Sequence, residues 1–287
     1  MVTLRDLRRW TRSWLKLSFL SLGLAGRFPT ANPFAETRRS DTLFILGSGT
    51  SINSLTSENW DEIRRHDSVG FNAWLLHDFV PQWYVFEPFK PLEATAFIGH
   101  NLGVRAEDYR NTRILLKDAE RHRLGSLRKV IGMLPPQLHR NVWVSWDWES
   151  SSDNVNGFRE ELRSFERKGI FAGSRYPALR KRATIFFLCG LAVRAGYKKI
   201  VLCGVDLTDS GYFYYSYADQ LKARGFDVGE IFPANVPHKT DTPEFGVITI
   251  SRALDILTAE VLQPRGIELA VGFKSSKLYP TFPSHFE

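Results

Sequence analysis

An α/β fold with a Rossmann-like, doubly wound and mostly parallel sheet is predicted by three features of this sequence. Two wholly apolar runs, Leu43-Phe44-Ile45-Leu46 and Ile200-Val201-Leu202-Cys203, each stop at a glycine, as parallel strands buried on both faces do. Between them, further strand-like runs alternate with helical periodicity. The first run opens into Gly47-Ser48-Gly49-Thr50-Ser51, a turn of glycines and hydroxyls where such sheets hold their ligands, beyond the carboxyl ends of the strands.

In chain order, residues 1–40 form a basic N-terminal extension and linker, and residues 41–287 form one domain. On a helical wheel, Arg5, Arg9, Arg12 and Lys16 share one face, while Leu7, Trp10, Trp14 and Leu17 share the other. The apolar stretch from Leu17 to Ala25 is shorter than the roughly 20 residues a spanning helix needs, so an interfacial helix is expected. Docking against the folded domain or another subunit, and a cleaved signal, are the alternatives. Prolines and polar residues from Phe28 to Ser40 read as linker, and the folded domain is expected to start near Asp41.

After the first strand, Thr56 or Ser57 caps a helix carrying Trp60, Ile63, Arg64 and Arg65. A second strand ends at Val69-Gly70-Phe71-Asn72, and a third covers Gln82 to Phe86 and closes at Glu87-Pro88. Ile114-Leu115-Leu116 and Val142-Trp143-Val144 continue the sheet, and the segment from Tyr176 to Ala195 reads as one long apolar helix. The strand Lys198–Gly204 follows and ends at Val205-Asp206. Residues 207–242 carry Tyr212, Phe213, Tyr214, Tyr215 and Tyr217, then Val236-Pro237-His238-Lys239-Thr240-Asp241, and read as a lid over the site.

The glycine loop lacks the third glycine of a dinucleotide fingerprint, since Ile52 stands there, and lacks the lysine of a triphosphatase loop. Its N–H groups and the hydroxyls of Ser48, Thr50 and Ser51 are candidate donors to anionic oxygens, with a plain strand-to-helix turn as the alternative. The net charge of +7 favours an anionic partner. Much of that excess lies in the N-terminal helix, which argues against nucleic acid. His238 is the lid's titratable group and a candidate general base, and Tyr214 a candidate donor to a leaving phosphate. The remaining histidines lack metal-binding spacing. Cys189 and Cys203 read as reduced core residues.

The order of these motifs resembles the bacterial sialyltransferases of glycosyltransferase family 42. The resemblance rests on Leu46-Gly47-Ser48-Gly49-Thr50-Ser51, Gly70-Phe71-Asn72, Ala195-Gly196-Tyr197-Lys198-Lys199-Ile200, Gly204-Val205-Asp206, and the pair Tyr214 and His238. It implies a GT-A-variant nucleotide-sugar transferase fold and transfer of a CMP-activated nonulosonic acid, sialic acid or a relative such as Kdo, to a glycan or glycolipid hydroxyl. It assigns the nucleotide sugar to Gly47, Ser48, Gly49, Thr50, Ser51, Asn72, Glu87, Arg182, Thr184 and Asp206, and catalysis to His238, Tyr214 and Thr208. No cofactor is required and no metal site is implied, divalent metal at most stimulating the reaction. The chain departs from the family pattern at Thr208, where a second tyrosine is usual, and at Glu87, where an asparagine is usual; a charged Glu87 disfavours an anionic ligand unless a cation compensates it or it touches the sugar or ribose hydroxyls.

The expected setting is the inner face of the cytoplasmic membrane, with peripheral contact through residues 1–25, and a homo-oligomer is allowed. Two other readings stay open. One is a pyrophosphokinase-like or flagellin-modification accessory protein, which shares a similar glycine loop and Gly-x-Asp strand. The other is a non-catalytic binder of nucleotide or glycolipid.

Overall fold

The computed structural model describes residues 4–22, 34–88, 95–172, 177–208, 211–229, 241–242 and 248–287. The chain divides into two compact units, one of Met1–Ala31, Val69–Asp147 and Tyr214–Phe232, the other of Asn32–Ser68, Trp148–Phe213 and Pro233–Glu287. The fold is α/β and Rossmann-like, with a seven-stranded parallel sheet, as the alternation of apolar runs and helices requires.

In the second unit, β1 (Thr42–Leu46) runs parallel to β8 (Lys199–Cys203), with Leu43 opposite Ile200 and Leu46 opposite Cys203, and β8 runs parallel to β9 (Glu268–Val271). The apolar side chains of β1 and β8 are buried throughout, which is why these strands lack an in–out alternation. Helix α6 (Thr184–Ala195) is buried from Ile185 to Ala195 and packs on β1 and on α8 (Ile250–Leu257), the place for a helix that is apolar all round. Cys189 and Cys203 are free and buried, and burial pushes the Cys189 thiol up to about 12.

β2 (Asp67–Phe71), which enters the first unit at Val69, and β3 (Trp83–Phe86), β4 (Arg113–Leu116) and β5 (Val142–Val144) of that unit lie side by side in that order, all parallel. Helix α2 (Ser57–Arg65), in the second unit, starts at Thr56. Its side chain and that of Asn59 exchange hydrogen bonds with each other's backbone N–H in a capping box, so Thr56 and not Ser57 is the cap.

Three local expectations change. The long helix expected from Tyr176 is shorter: Ala178–Arg180 is strand β7, paired with β6 (Asp147–Glu149) in a separate two-stranded sheet, and the helix starts at Thr184. Pro177 brings no N–H for a helix, the Arg180 carbonyl accepts from Ser150 N–H, and Arg182 sits at φ 63°. Residues 34–40 are tied in and are not linker. Phe34 is fully buried, and the backbone N–H groups of Arg39 and Ser40 donate to the buried Asp67 carboxylate, which also accepts from the Tyr197 hydroxyl at 2.8 Å.

The third change concerns α1 (Leu4–Leu22), which packs against α4 (Leu124–Gly132) and β5. Trp10, Leu17 and Leu20 form the packed face. Lys16, placed by the wheel on the basic face with Arg5, Arg9 and Arg12, turns inward, and its ammonium donates to the carbonyls of Ala119, Glu120 and His122 at 3.2, 2.6 and 3.0 Å. Burial lowers its pKa against the pull of Glu120 and Asp147. Trp14, placed by the wheel on the apolar face with Trp10 and Leu17, is 36% exposed.

Candidate functional site

The second unit holds the glycine loop. At the carboxyl end of β1, the Gly47 N–H donates to the Cys203 carbonyl and the Gly49 N–H to the Gly204 carbonyl, both at 2.8 Å. These two N–H groups, expected to face a phosphate, are committed to the neighbouring strand end. Glycine is required at position 49 by that close approach: a Cβ there would lie 2.3 Å from Asp206 Oδ2. Gly204, at φ 65° and with Ile52 against it, completes the contact.

Asp206 fixes the loop further. Its carboxylate accepts from the Ser51 backbone N–H at 2.9 Å and from the Ser51 hydroxyl at 2.5 Å. Asp206 therefore clasps the loop, and its own carbonyl accepts from Lys277 N–H. On the other side, Tyr212 bridges Gly49, Phe213 N–H donates to the Ser48 carbonyl, and Asn53 holds the Phe213 carbonyl at 2.9 Å. The Ser48 hydroxyl is buried with no hydrogen-bond partner among the described residues, while Thr50 and Ser51 are half-buried. A buried hydroxyl without a partner is a cost that a ligand atom or a small loop movement can remove.

Elsewhere in this unit, Arg182 is half-buried before α6 and donates through Nε to the Ile248 carbonyl at 2.6 Å, and Thr184 opens the helix. Thr208 is exposed, following Leu207 at φ 56°. Asp241, at the far end of the lid segment, is buried. It accepts from the Ser251 N–H and hydroxyl and pairs with Lys277 at 2.7 Å. Burial raises its pKa, but Lys277 and Ser251 outweigh that and hold the carboxyl below its ordinary value. Lys277 thus links the Asp206 backbone to the lid's end. His238 lies outside the described residues.

The first unit holds Asn72, Glu87 and Tyr214. Asn72 follows β2 at φ 55°, its carbonyl accepting from the Tyr84 hydroxyl at 2.7 Å, and its half-buried carboxamide has no partner among the described residues. Glu87 follows β3 and forms a close ion pair with Lys117, which follows β4 and also lies 3.2 Å from Asp118 Oδ1. Burial pulls the Lys117 ammonium down, but Glu87, then Asp118 and Asp147, outweigh it and raise its pKa. The cation that compensates Glu87 is Lys117. Sequence reading missed it, although Lys117-Asp118 directly follows the apolar run Ile114–Leu116. Tyr214 is buried, with its ring edge-on to Tyr215.

All four non-glycine residues of positive φ among the described residues, Asn72, Asp118, Arg182 and Leu207, stand just beyond the carboxyl ends of β2, β4, β7 and β8. Backbone strain of this kind costs on the order of 1 kcal/mol per residue and gathers at functional sites. Among the described residues, no group of three or more His, Cys, Asp or Glu is placed to hold a metal ion.

No protein-family model matches the sequence, and no curated protein matches it. Among solved structures, the chain is similar to the monofunctional alpha-2,3-sialyltransferase Cst-I from Campylobacter jejuni, at 16% identity and a TM-score of 0.45, over 85% of this chain and 80% of that one. It is likewise similar to the sialyltransferase CST-II in complex with trisaccharide acceptor and CMP, at 14% identity and a TM-score of 0.45, over 85% of each chain. A third similarity is to the apo form of alpha-2,3-sialyltransferase from Campylobacter jejuni, at 15% identity and a TM-score of 0.42, over 86% of this chain and 80% of that one. These are sialyltransferases, the class that the motif order resembles. A likeness at this level assigns no activity to this chain.

The structure thus assembles Gly47–Ser51 with Asp206 in one unit and joins Glu87 to Lys117 in the other. The first arrangement presents hydroxyls beside a fixed turn. The second presents a carboxylate whose charge is balanced by Lys117 and which can accept from neutral hydroxyls.

Proposed function

We propose that this protein is a glycosyltransferase that moves a nonulosonic acid, sialic acid or a relative such as Kdo, from a CMP-activated donor to a hydroxyl of a glycan or glycolipid. The observation that carries the reading is the glycine loop clasped by Asp206. The clasp fixes the turn in advance and leaves hydroxyls, without a lysine, as its polar groups, which suits a single phosphate better than a triphosphate.

In this reading Ser48 and Thr50 meet the nucleotide, with Gly47, Gly49, Ser51 and Asp206 holding their turn. Asn72 offers its carboxamide to the nucleotide, Glu87 accepts from sugar or ribose hydroxyls, and Arg182 and Thr184 face the donor's carboxylate or phosphate. His238 takes the proton of the acceptor hydroxyl as its oxygen attacks the anomeric carbon. The bond from that carbon to the CMP phosphate oxygen breaks on the opposite face, so the configuration inverts. Tyr214 and Thr208 donate to the departing phosphate, whose charge grows as the bond breaks, and no metal is required. Tyr214 is buried beside Tyr215, so its donation requires that segment to turn.

The acceptor is proposed to be lipid-borne and the protein to work peripherally at the inner face of the cytoplasmic membrane. No helix among the described residues is long and apolar enough to cross one. The test is acceptor-dependent release of CMP from CMP-sialic acid or CMP-Kdo with a lipo-oligosaccharide acceptor. Replacement of His238 by Ala in folded protein is expected to lower the rate by roughly a hundredfold or more. Undiminished transfer by that variant contradicts the assigned base, and absence of CMP release with either donor contradicts the reaction.

A further inference from the structure

We infer that α1 is a two-sided helix, clamped to the protein by one side and lying by the other on an anionic phospholipid bilayer. The inference rests on the peripheral location proposed above and names the surface that makes the contact. The clamp is visible: Leu17 and Leu20 are buried, and Lys16 closes three backbone carbonyls of the segment before α4. The opposite side is left uncovered among the described residues. Leu15 is 48% exposed, Phe19 64% and Leu22 53%. Spacings of four and three residues place these three on one stripe. Arg8 and Arg12 continue the same stripe toward the helix start, and both are exposed.

Charge selects the occupant. Arg8 and Arg12 on α1, Arg123 beside α4, and Arg128 and Lys129 on α4 are exposed and have no ion-pair partner among the described residues. Among the other exposed arginines of the same unit, Arg110, Arg121 and Arg224 are paired with Glu107, Asp118 and Asp78, and Arg140 has no ion-pair partner among the described residues. An apolar stripe continued by unpaired cations matches acyl chains beside phosphate headgroups. A second copy of the chain would bring like charges together on this face and is disfavoured.

Because Lys16, Leu17 and Leu20 fix the helix on its far side, the exposed side can be altered without undocking it. The test is co-sedimentation of the full chain with vesicles of phosphatidylglycerol and phosphatidylethanolamine, against vesicles of phosphatidylcholine, without nucleotide or acceptor. The chain is expected to bind the anionic vesicles, less so as salt rises. A Leu15→Ser, Phe19→Ser, Leu22→Ser triple variant, with melting temperature and size unchanged, is expected to lose roughly tenfold or more of the binding, and an Arg8→Glu, Arg12→Glu variant a comparable share. Equal binding to both vesicle types, triple-variant binding equal to the parent's, or a dimer of the parent that the triple variant abolishes would each overturn the inference. CMP stabilisation of these variants is read separately, so failure of the surface and failure of the transferase reading are distinguishable.

Discussion

At position 206 a single carboxylate closes two hydrogen bonds to Ser51 and lies where a Cβ on residue 49 would fall. Ser51→Ala is therefore expected to destabilise the protein by about 1–3 kcal/mol, because it removes a hydroxyl bond to a charged acceptor. Gly49→Ala should do at least as much damage, since its Cβ would push away the Asp206 carboxylate that holds Ser51 and would also crowd the Gly204 carbonyl at 2.9 Å, and it should abolish nucleotide binding in protein that still folds. Chemical denaturation with CMP titration separates the two effects. At the other strand ends, Lys117→Met leaves Glu87 without its cation and Asp118 with Arg121 alone, and is expected to cost about 1–3 kcal/mol. Adding Glu87→Gln should return part of that, and a double-mutant cycle measures the coupling. His77 carries a pH signature. Burial lowers its pKa to about 4, with Asp78 opposing and Arg105 assisting, and its Nδ1 accepts from Phe79 N–H, a bond that protonation breaks. The folded pKa is below the unfolded value near 6.5, so the neutral ring's contribution is complete above about pH 6.5 and is lost as pH falls toward 4. It amounts to on the order of 3 kcal/mol at most, and a His77→Gln variant should flatten that window in urea denaturation measured across pH.

Among the elements, β1 and β8 were legible because full burial writes itself as an uninterrupted apolar run, and α2 because Thr56 and Asn59 are spaced as a capping box. β7 was hidden inside an apolar stretch that periodicity alone assigns to a helix. Pro177 was the available local signal, while pairing of Arg180 with Ser150 is a long-range contact that no local pattern displays. The same reason hid the glycine loop's true packing. Its residues were identified as a turn, but the partner that requires them, Gly204 to Asp206, lies more than 150 residues away along the chain. In α1 the wheel gave an amphipathic helix but not which side the protein covers, because a lysine capping three carbonyls looks, in sequence, like a lysine in solvent. The buried Asp67 shows how such distant bonds join elements, tying residues 39 and 40, β2 and the segment after α6. Tyr197→Phe is expected to cost about 1–3 kcal/mol in thermal or urea unfolding, since it removes a donor from a buried carboxylate.

For the whole molecule, the α/β class and the parallel sheet fit a protein that binds its ligand at the carboxyl ends of its strands. The unpaired cations around α1 and α4 account for part of the net charge of +7. The central claim is the nucleotide class. It is tested most directly by thermal denaturation of the full chain with CMP, CDP, UDP, GDP and ATP, each with and without magnesium. A rise in melting temperature with cytidine nucleotides, largest for CMP and independent of magnesium, is the expected result. Stabilisation by ATP that requires magnesium, with none from CMP, would contradict it.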